Sequence, residues 1–533
     1  MNSRYVRAFN TKRRLQCSFF STASGADKMR IAIVGGGAAG LSSALHLSPL
    51  VDQGKIDGPI DIFDTGTSPR RDIGVGIWST ALEPFRSSSI ESHQLVIEEM
   101  TKHGEYLRDV GYRTPKGDWL AQSRLGGKTM PDLLFLREHD MLDTLGKAIQ
   151  LEQERGNVKL HSGSEFQVNS ISEDSSFPWS APLRIGNELD PTNTARDYHM
   201  IVAADGMNST IRKMYGGYVC ERSRLTGTAA LKGPMDLPDS EELVTENWHT
   251  TGQAVATSTQ DRQYTVFRGN AHLNGDEIGL QRSFQTWGEG KSMRFATVPM
   301  SFPGSSGIRE EREVWFITID NDEIVSEVDP SRRREKLLHE FKDWHDPIRQ
   351  LIEATPADEI IMERAMAHKH SMEPVANFNE IVTRIRGEGP PSKGNGPAIA
   401  FLGDAFMCVD PILAQGFTFG MEGAAALSAS VDVTLSAEPM EQYQELDFDP
   451  FMLRQELKSR HDHRLQRLIC LLRATELVQA LGQPTSGTFS GFLSRDIIRP
   501  LMRLTPSFVK TPIFNAVAKY SLGLSQQFQN KES

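Results

Sequence analysis

The sequence predicts an α/β protein with a three-layer, Rossmann-like domain, an inserted and mainly antiparallel β-sheet domain, and a helical C-terminal region. Three observations predict it. A strand-forming run from Met29 to Val34 leads directly into Gly35-x-Gly37-x-x-Gly40 and a helix-forming stretch. A second short strand, Ile60 to Phe63, ends in Asp64, roughly twenty residues beyond the last glycine. From 224 to 320 the composition changes to Thr-, Val-, Phe- and Tyr-rich runs separated by Gly, Asn and Asp, the pattern of antiparallel strands.

The glycine turn carries the first chemical signal. Its glycines let the backbone turn tightly and approach a pyrophosphate, which would sit on the unpaired N–H groups of the helix N-terminus. Ala38 to Leu47 reads as that helix, with small residues where it packs close to the sheet. Asp64 can accept both hydroxyls of an adenosine ribose and would repel a 2′-phosphate. The candidate dinucleotide-binding residues here are Gly35, Gly37, Ala38, Ala39, Gly40 and Asp64. A glycine-rich turn without a ligand is the alternative. The order strand, glycines, helix, strand, acid favours the dinucleotide.

Further elements follow in order. Gly156 to Ser170 alternates like a strand pair, and Tyr198 to Ala204 is a short buried strand ending in Asp205-Gly206-Met207-Asn208-Ser209. There the chain turns sharply, and Thr210 to Lys213 can start a helix. Tyr264 to Arg268, Met293 to Met300 and Val314 to Ile319 read as strands of the inserted sheet. Ser331 to Trp344 reads as a helix, followed by another from Pro347. The Pro/Gly-rich stretch 387–397 is a surface loop that delivers the chain into a buried strand, Ala398 to Leu402, closed by Gly403-Asp404. A long helix from Phe417 to Leu435 comes next, and Phe448 to Leu481 carries apolar residues at helical spacing. The resulting division is 1–28, a basic N-terminal segment; 29–223 and 346–438, two parts of the nucleotide domain; 224–345, the substrate domain; and 439–533, the helical C-terminal region.

Composition narrows the function. A formal net charge of −11 over 533 residues, with no basic stripe long enough to track phosphates, argues against a nucleic-acid partner. Cys17, Cys220, Cys408 and Cys470 form neither a metal-ligand spacing nor a disulfide framework, which suits a reducing compartment. No apolar run reaches the length of an ordinary membrane-spanning helix. The paired histidines His368/His370 and His461/His463 lie two apart, on different faces of a helix, and read as ordinary polar residues. Residues 1–28 contain Arg4, Arg7, Lys12, Arg13 and Arg14 with several Ser and Thr, the profile of an organellar, mitochondrial transit peptide; a basic tail without an address would leave the protein cytoplasmic. The segment 492–524 mixes apolar residues with Arg495, Arg499, Arg503, Lys510 and Lys519. It either caps the catalytic body or rests on an anionic membrane, and the cap is favoured because Pro500, Pro506 and Pro512 cut it into short pieces.

Three strand ends carry an acid next to glycine or beside the glycine turn: Asp64, Asp205-Gly206 and Gly403-Asp404. With these motifs the chain resembles the aromatic-ring hydroxylase family of FAD-dependent monooxygenases, the single-component class with the p-hydroxybenzoate hydroxylase fold. The resemblance covers roughly 29–435. It rests on Gly35, Gly37 and Gly40, on Asp205-Gly206 running to Arg212, and on Gly403-Asp404-Ala405 with Pro411 and Gln415-Gly416. It implies that Asp404 hydrogen-bonds the FAD ribityl chain. The loop Pro411 to Gly416 would lie against the isoalloxazine, its N–H groups stabilising negative charge on the reduced flavin. Asp205 would serve the FAD pyrophosphate and the approaching nicotinamide nucleotide, with Arg212 in the same motif. Arg137 resembles the arginine that meets the FAD phosphates, or else pairs with Glu138 or Asp140. The sequence departs from the family at Asp64, where Glu is usual. It departs again at Phe406-Met407, in place of a frequent histidine, which would make the face beside the flavin more apolar. A bulkier Val409 to Ala414 is the third departure.

The resemblance implies that NADPH or NADH reduces FAD, and that O2 then gives a flavin C4a-hydroperoxide which hydroxylates an aromatic or other electron-rich apolar small molecule. No Ser-His-Asp or metal-ligand cluster is needed or found. No substrate-activating base stands out, His249, Tyr264, Arg268 and His272 being candidates for it, and Phe284, Trp287, Phe295, Trp315 and Phe316 either line the pocket or fill a core. The alternatives are a flavin-dependent epoxidase or isoprenoid reductase, a flavin-dependent halogenase, whose Trp-x-Trp-x-Ile-Pro signature is missing, and a non-catalytic FAD-binding scaffold.

Overall fold

The structure is a computed structural model that describes residues 28–66, 71–127, 130–163, 181–183, 196–215, 259–273, 283–288, 292–304, 309–368, 398–439, 446–482 and 492–524. The first strand, Ile31–Val34, is buried and becomes the centre of a five-stranded parallel sheet. Met200–Ala203 and then Ala398–Phe401 lie on one side of it, Ile60–Asp64 and then Val158–Ser162 on the other. These strands are near-continuous apolar runs because helices cover both faces. Ile31, Ile33, Ile60, Ile62, Met200 and Val202 pack on the helices Ala38–Asp52, Glu138–Glu154 and Gly416–Leu435. Their alternating neighbours Ala32, Val34, Ile201, Ala203 and Phe401 pack on Pro450–Gly482. This is the three-layer domain that the glycine turn and apolar runs predict.

A second, seven-stranded sheet runs in the order Ile361–His368, Thr259–Ala271, Arg309–Ile319, Arg294–Pro303, Ser283–Trp287, Asp109–Arg113, Trp119–Arg124. All pairs are antiparallel except Ser283–Trp287 with Asp109–Arg113. Three of its strands therefore come from outside 224–345: two from the segment read as nucleotide domain and one from 346–438. Strand propensity shows that a strand exists but not which sheet it joins, since its partner lies far along the chain. Phe267, Phe295, Trp315 and Ile317 make one face a core with the helices Pro330–Glu340 and Ile348–Glu353, and the Trp315 indole N–H donates to Thr355 Oγ1 at 2.8 Å. The other face opens toward the parallel sheet, with a three-stranded sheet, Gly74–Trp78, Leu133–Arg137 and Glu105–Leu107, between the two.

Most helices form where periodicity places them, at Gly416–Leu435 and Pro450–Gly482 among others. Two expectations change. His368 lies on a strand rather than a helix: it is buried, its Nδ1 accepts the Cys408 N–H at 2.9 Å, and desolvation lowers its pKa to about 4. Pro512 does not break the tail, because it sits inside the helix Ser507–Ser521, whose packing on the strand Trp119–Arg124 outweighs one lost backbone hydrogen bond. Cys408 and Cys470 are buried free thiols. Among the described residues no helix is long and apolar enough to cross a membrane. Cys17, Cys220, His249, His370, the loop 387–397 and residues 1–27 lie outside the described residues.

Candidate active site

The glycine turn divides its residues into those that pack and those that leave room. A Cβ on Gly40 would stand 1.9 Å from the Gly35 carbonyl oxygen, and one on Gly35 (φ +111°) would stand 2.2 Å from the Ala204 oxygen. These two bring helix and strand together. A Cβ on Gly37 would meet nothing within 4 Å. Ala38 is buried beneath the turn, and Ala39 supports the site from behind, its methyl lying 3.1 and 3.2 Å from the Cβ positions that Gly403 and Gly420 would carry. Asp64 is half-buried at its strand end, its carboxyl group against Gly36, with no side-chain partner among the described residues. It is free to take ribose hydroxyls.

The next two motifs face each other across the ends of adjacent strands. Asp205 Oδ2 accepts the Thr210 N–H at 2.7 Å, starting the helix Thr210–Tyr215, while its Oδ1 is buried without a partner among the described residues. Gly206 turns at φ +78°, and a Cβ there would again meet nothing within 4 Å. Arg212 is buried, 3% exposed, and donates to the carbonyls of Asp404 (3.1 Å), Ala405 (2.8 Å) and Met207, bracing one motif against the other. Gly403 turns at φ +54°, setting Asp404 at the foot of a cleft. The Asp404 carboxyl is open to the cleft yet remote from bulk water; desolvation pushes it up to about 6 against the opposing charges of Arg212 and Arg71. A dinucleotide therefore has room along Gly37 and Gly206, and a partnerless carboxylate, an orphaned carboxylate oxygen and Asp404 to take its hydroxyls. The residues present fit FAD.

The loop after Asp404 is held rigidly. Pro411–Leu413 forms one 3₁₀ turn, capped by Asp410 Oδ1, which accepts the Ile412 N–H at 2.9 Å, and Ala414 is left-handed at φ 50°, ψ 40°. Asp410 also accepts the Tyr264 hydroxyl at 2.6 Å and Arg262 Nε at 2.7 Å. Gln415 is buried: its Nε2 donates to Ser521 Oγ and its Oε1 accepts from Arg467, both at 2.8 Å. Gly416 opens the long helix and lines the cavity with Phe417, and a Cβ on Gly416 would meet nothing within 4 Å, so the helix N-terminus borders the cavity.

The cavity, about 1020 Å³, runs from this loop between the second sheet and the C-terminal helices. Leu125, Phe135, Val298, Phe316 and Phe514 make its walls largely apolar. Phe284, Trp287 and Phe316 line it, whereas Phe295 and Trp315 face the core on the sheet's other side. Tyr264 and Arg268 line it; His272 pairs with Glu359 on the surface at 3.1 Å. Phe406 and Met407 do not make the flavin-side face more apolar, because both turn into the core, where Phe406 stacks on Phe419. Arg137 does not line the cavity: it pairs with Asp140 at 2.6 Å and Asp72 at 2.9 Å. Arg71 lines the cavity in its stead, paired with Glu138 and Glu363.

Sequence reasoning missed Arg71, Glu363, Arg294 and the anchoring role of Asp410. Arg294 is 7% exposed, lines the cavity and donates to the Ile412 carbonyl at 3.1 and 3.2 Å and to Gln285 at 2.7 Å; burial lowers its pKa. Asp410 had a local signal, an acid directly before a proline at a turn. Arg71 and Glu363 had none.

No family model matches the sequence. It is 30% identical over 167 residues to the aurachin C monooxygenase/isomerase of Stigmatella aurantiaca, a match spanning 31% of this chain and about a third (34%) of that protein. HpxO of Klebsiella pneumoniae, solved with FAD and uric acid, superposes with a TM-score of 0.59 at 15% identity, over 92% of this chain and 97% of that one. PqsL of Pseudomonas aeruginosa, solved with 2-aminobenzoylacetate, gives 0.54 at 13% identity, over 90% and 100%. The 2,6-dihydroxypyridine-3-hydroxylase of Arthrobacter nicotinovorans gives 0.54 at 15%, over 87% and 96%. The chain has the fold of the FAD-dependent aromatic-hydroxylase-type monooxygenases.

Proposed function

We propose that this protein is an FAD-dependent monooxygenase that uses NADPH or NADH and O2 to hydroxylate an aromatic or other electron-rich apolar small molecule. One observation carries the reading: a groove fitted to a dinucleotide and a large apolar cavity meet at a single rigid loop, Pro411 to Gly416. FAD, when bound, supplies hydride acceptance from the nicotinamide and the activation of oxygen. The chain supplies the rest. Asp64 binds the adenosine ribose, the turn Gly35–Gly40 accommodates the pyrophosphate, and Asp205 and Asp404 accept hydroxyl donors along the dinucleotide. N–H groups of the loop and of the helix that begins at Gly416 stabilise negative charge that develops beside them. The apolar walls hold the substrate and exclude water. Arg137 reaches a phosphate only if Asp72 and Asp140 yield it.

The test is the visible spectrum of the purified protein before and after anaerobic NADPH or NADH, with phenols, quinone precursors and isoprenoid alkenes added in turn. A flavin band that bleaches faster with one compound supports the reading and gives the substrate class; an alkene responding alone would favour epoxidation. A colourless protein that cannot be reconstituted with FAD would falsify it.

Two further assignments belong with this reading. Leu504 (84% exposed), Phe492 (49%) and Ile497 (46%) are exposed on the C-terminal helices away from the cavity, which supports contact of 492–524 with a lipid surface in addition to its packing on the body. Flotation with anionic vesicles checks it, and a protein that stays at the bottom of the gradient refutes it. The basic, Ser/Thr-containing residues 1–28 support mitochondrial import. Their fusion to a fluorescent protein should direct it to mitochondria, and a diffuse signal would place the protein in the cytoplasm.

A further inference from the structure

The helix Ser507–Ser521 forms one long wall of the cavity. Lys510, Ile513, Phe514, Val517, Ala518 and Ser521 all line it, at spacings of three, one, three, one and three, a single helical stripe. At the Ser521 end the stripe touches the flavin-side loop, through the 2.8 Å bond from Gln415. Lys510 lies eleven residues away (521 minus 510), which at 1.5 Å per residue is roughly 16 Å along the wall. The four residues between are apolar.

Lys510 is 7% exposed. The other basic residues lining the cavity are all engaged: Arg71 and Arg268 with Glu363, Arg364 with Asp261, and Arg294 with Gln285 and the Ile412 carbonyl. The Lys510 ammonium has no hydrogen-bond or ion-pair partner among the described residues. A buried ammonium is costly unless an anion meets it. Burial lowers its pKa. A ligand carboxylate would supply it at the end of an apolar channel.

We propose that the cavity binds a substrate with two unlike ends: an electron-rich group at the Pro411–Gly416 loop and, about one channel length away, a carboxylate paired with Lys510, the two joined by an apolar chain. Lys510 is then a specificity-determining residue. The position of the reacting end rests on the flavoenzyme reading, whereas the carboxylate end rests on Lys510 and the channel alone.

Isothermal calorimetry on the full-length protein, with dodecanoate and dodecanol as probes and no NADPH present, tests the carboxylate end independently of turnover. The acid should bind at least about tenfold more tightly than the alcohol. Lys510→Met should remove that preference while leaving dodecanol affinity within about twofold, and Lys510→Arg should retain it. Lys510→Gln is a second neutral variant should the first fail to fold. Equal affinities for the two probes, no binding of either, or an acid preference that survives both neutral variants would overturn the proposal. A protein that shows the Lys510-dependent preference yet never bleaches with NADPH or NADH would refute the flavoenzyme reading while leaving the binding assignment standing.

Discussion

Two glycines of the same turn are expected to fail in opposite ways. Gly40→Ala drives a methyl into the Gly35 carbonyl, 1.9 Å from the Cβ position, and should cost about 2–4 kcal/mol or prevent folding, read by thermal denaturation. Gly37→Ala meets no protein atom, and its backbone (φ −80°) suits alanine. That variant should keep the apo melting temperature and lose FAD affinity by tenfold or more in flavin titration. A pH effect resides at Glu313, which is 2% exposed on its strand and accepts a hydrogen bond from Thr297 at 2.6 Å. Burial and the neighbouring Glu311 charge push its carboxyl up to about 7 from an ordinary 4.5, against the Thr297 bond. Between these values the native state holds a proton that the unfolded chain has released, so stability falls as pH rises through this window and stays low above it. The cost is about 3 kcal/mol at pH 8. Glu313→Gln should therefore raise the melting temperature at pH 8 by several degrees and barely change it at pH 4.5. A larger gain at the acidic end would contradict this assignment.

At the scale of elements, one buried arginine helps tie the C-terminal helices to the loop Pro411–Gly416. Arg467 donates to Gln415 and to the Ser521 carbonyl and pairs with Glu422, itself held by Arg464 at 2.9 Å and Thr80 at 2.6 Å. Arg467→Met should cost about 2–4 kcal/mol, because it leaves buried acceptors unpaired. If the loop depends on this tie, the variant should also release more hydrogen peroxide per NADPH consumed; unchanged coupling at lower stability would limit Arg467 to a packing role. The tail is packed against the body along its inner side. It is bound to the body by Thr511 to the Gln122 carbonyl (2.8 Å), by Ser123 to Asn515, and by Arg499 to the carbonyls of Trp287 (3.1 Å) and Gly288 (2.8 Å). It caps the catalytic body, although Pro512 does not cut it and the helix Ser507–Ser521 runs on through that proline.

For the whole molecule, two sheets and a helical tail enclose a space that none of them forms alone. Deleting 507–533 should leave the parallel sheet and its FAD groove intact while opening the cavity along one side. The expected result is a yellow protein that still oxidises NADPH but diverts most of its oxygen to peroxide, measured by a coupled peroxidase assay. Loss of the flavin itself would mean that the Gln415–Ser521 contact supports the cofactor site as well as the cavity. The same dependence explains why this sheet draws strands from outside 224–345: Asp109–Arg113, Trp119–Arg124 and Ile361–His368 join strands that lie far from them in sequence.

The parallel sheet, its order of glycines and acids, and the cleft at its strand ends were legible in the residues alone. Each of those motifs is a run of adjacent residues whose backbone needs are local: a turn that only glycine permits, an acid at a strand end, a helix beginning where N–H groups are free. Asp64, Asp205 and Asp404 stand where that logic places them. Which arginine faces the cavity was settled by packing, since Arg71 and Glu363 meet across 292 residues while Arg137 is taken by the nearby Asp140. Packing alone turned Phe406 and Met407 into the core and Lys510 into the channel. A side chain's direction depends on what packs against its element, and a periodic pattern shows that a face is buried without showing whether it meets a core or a cavity.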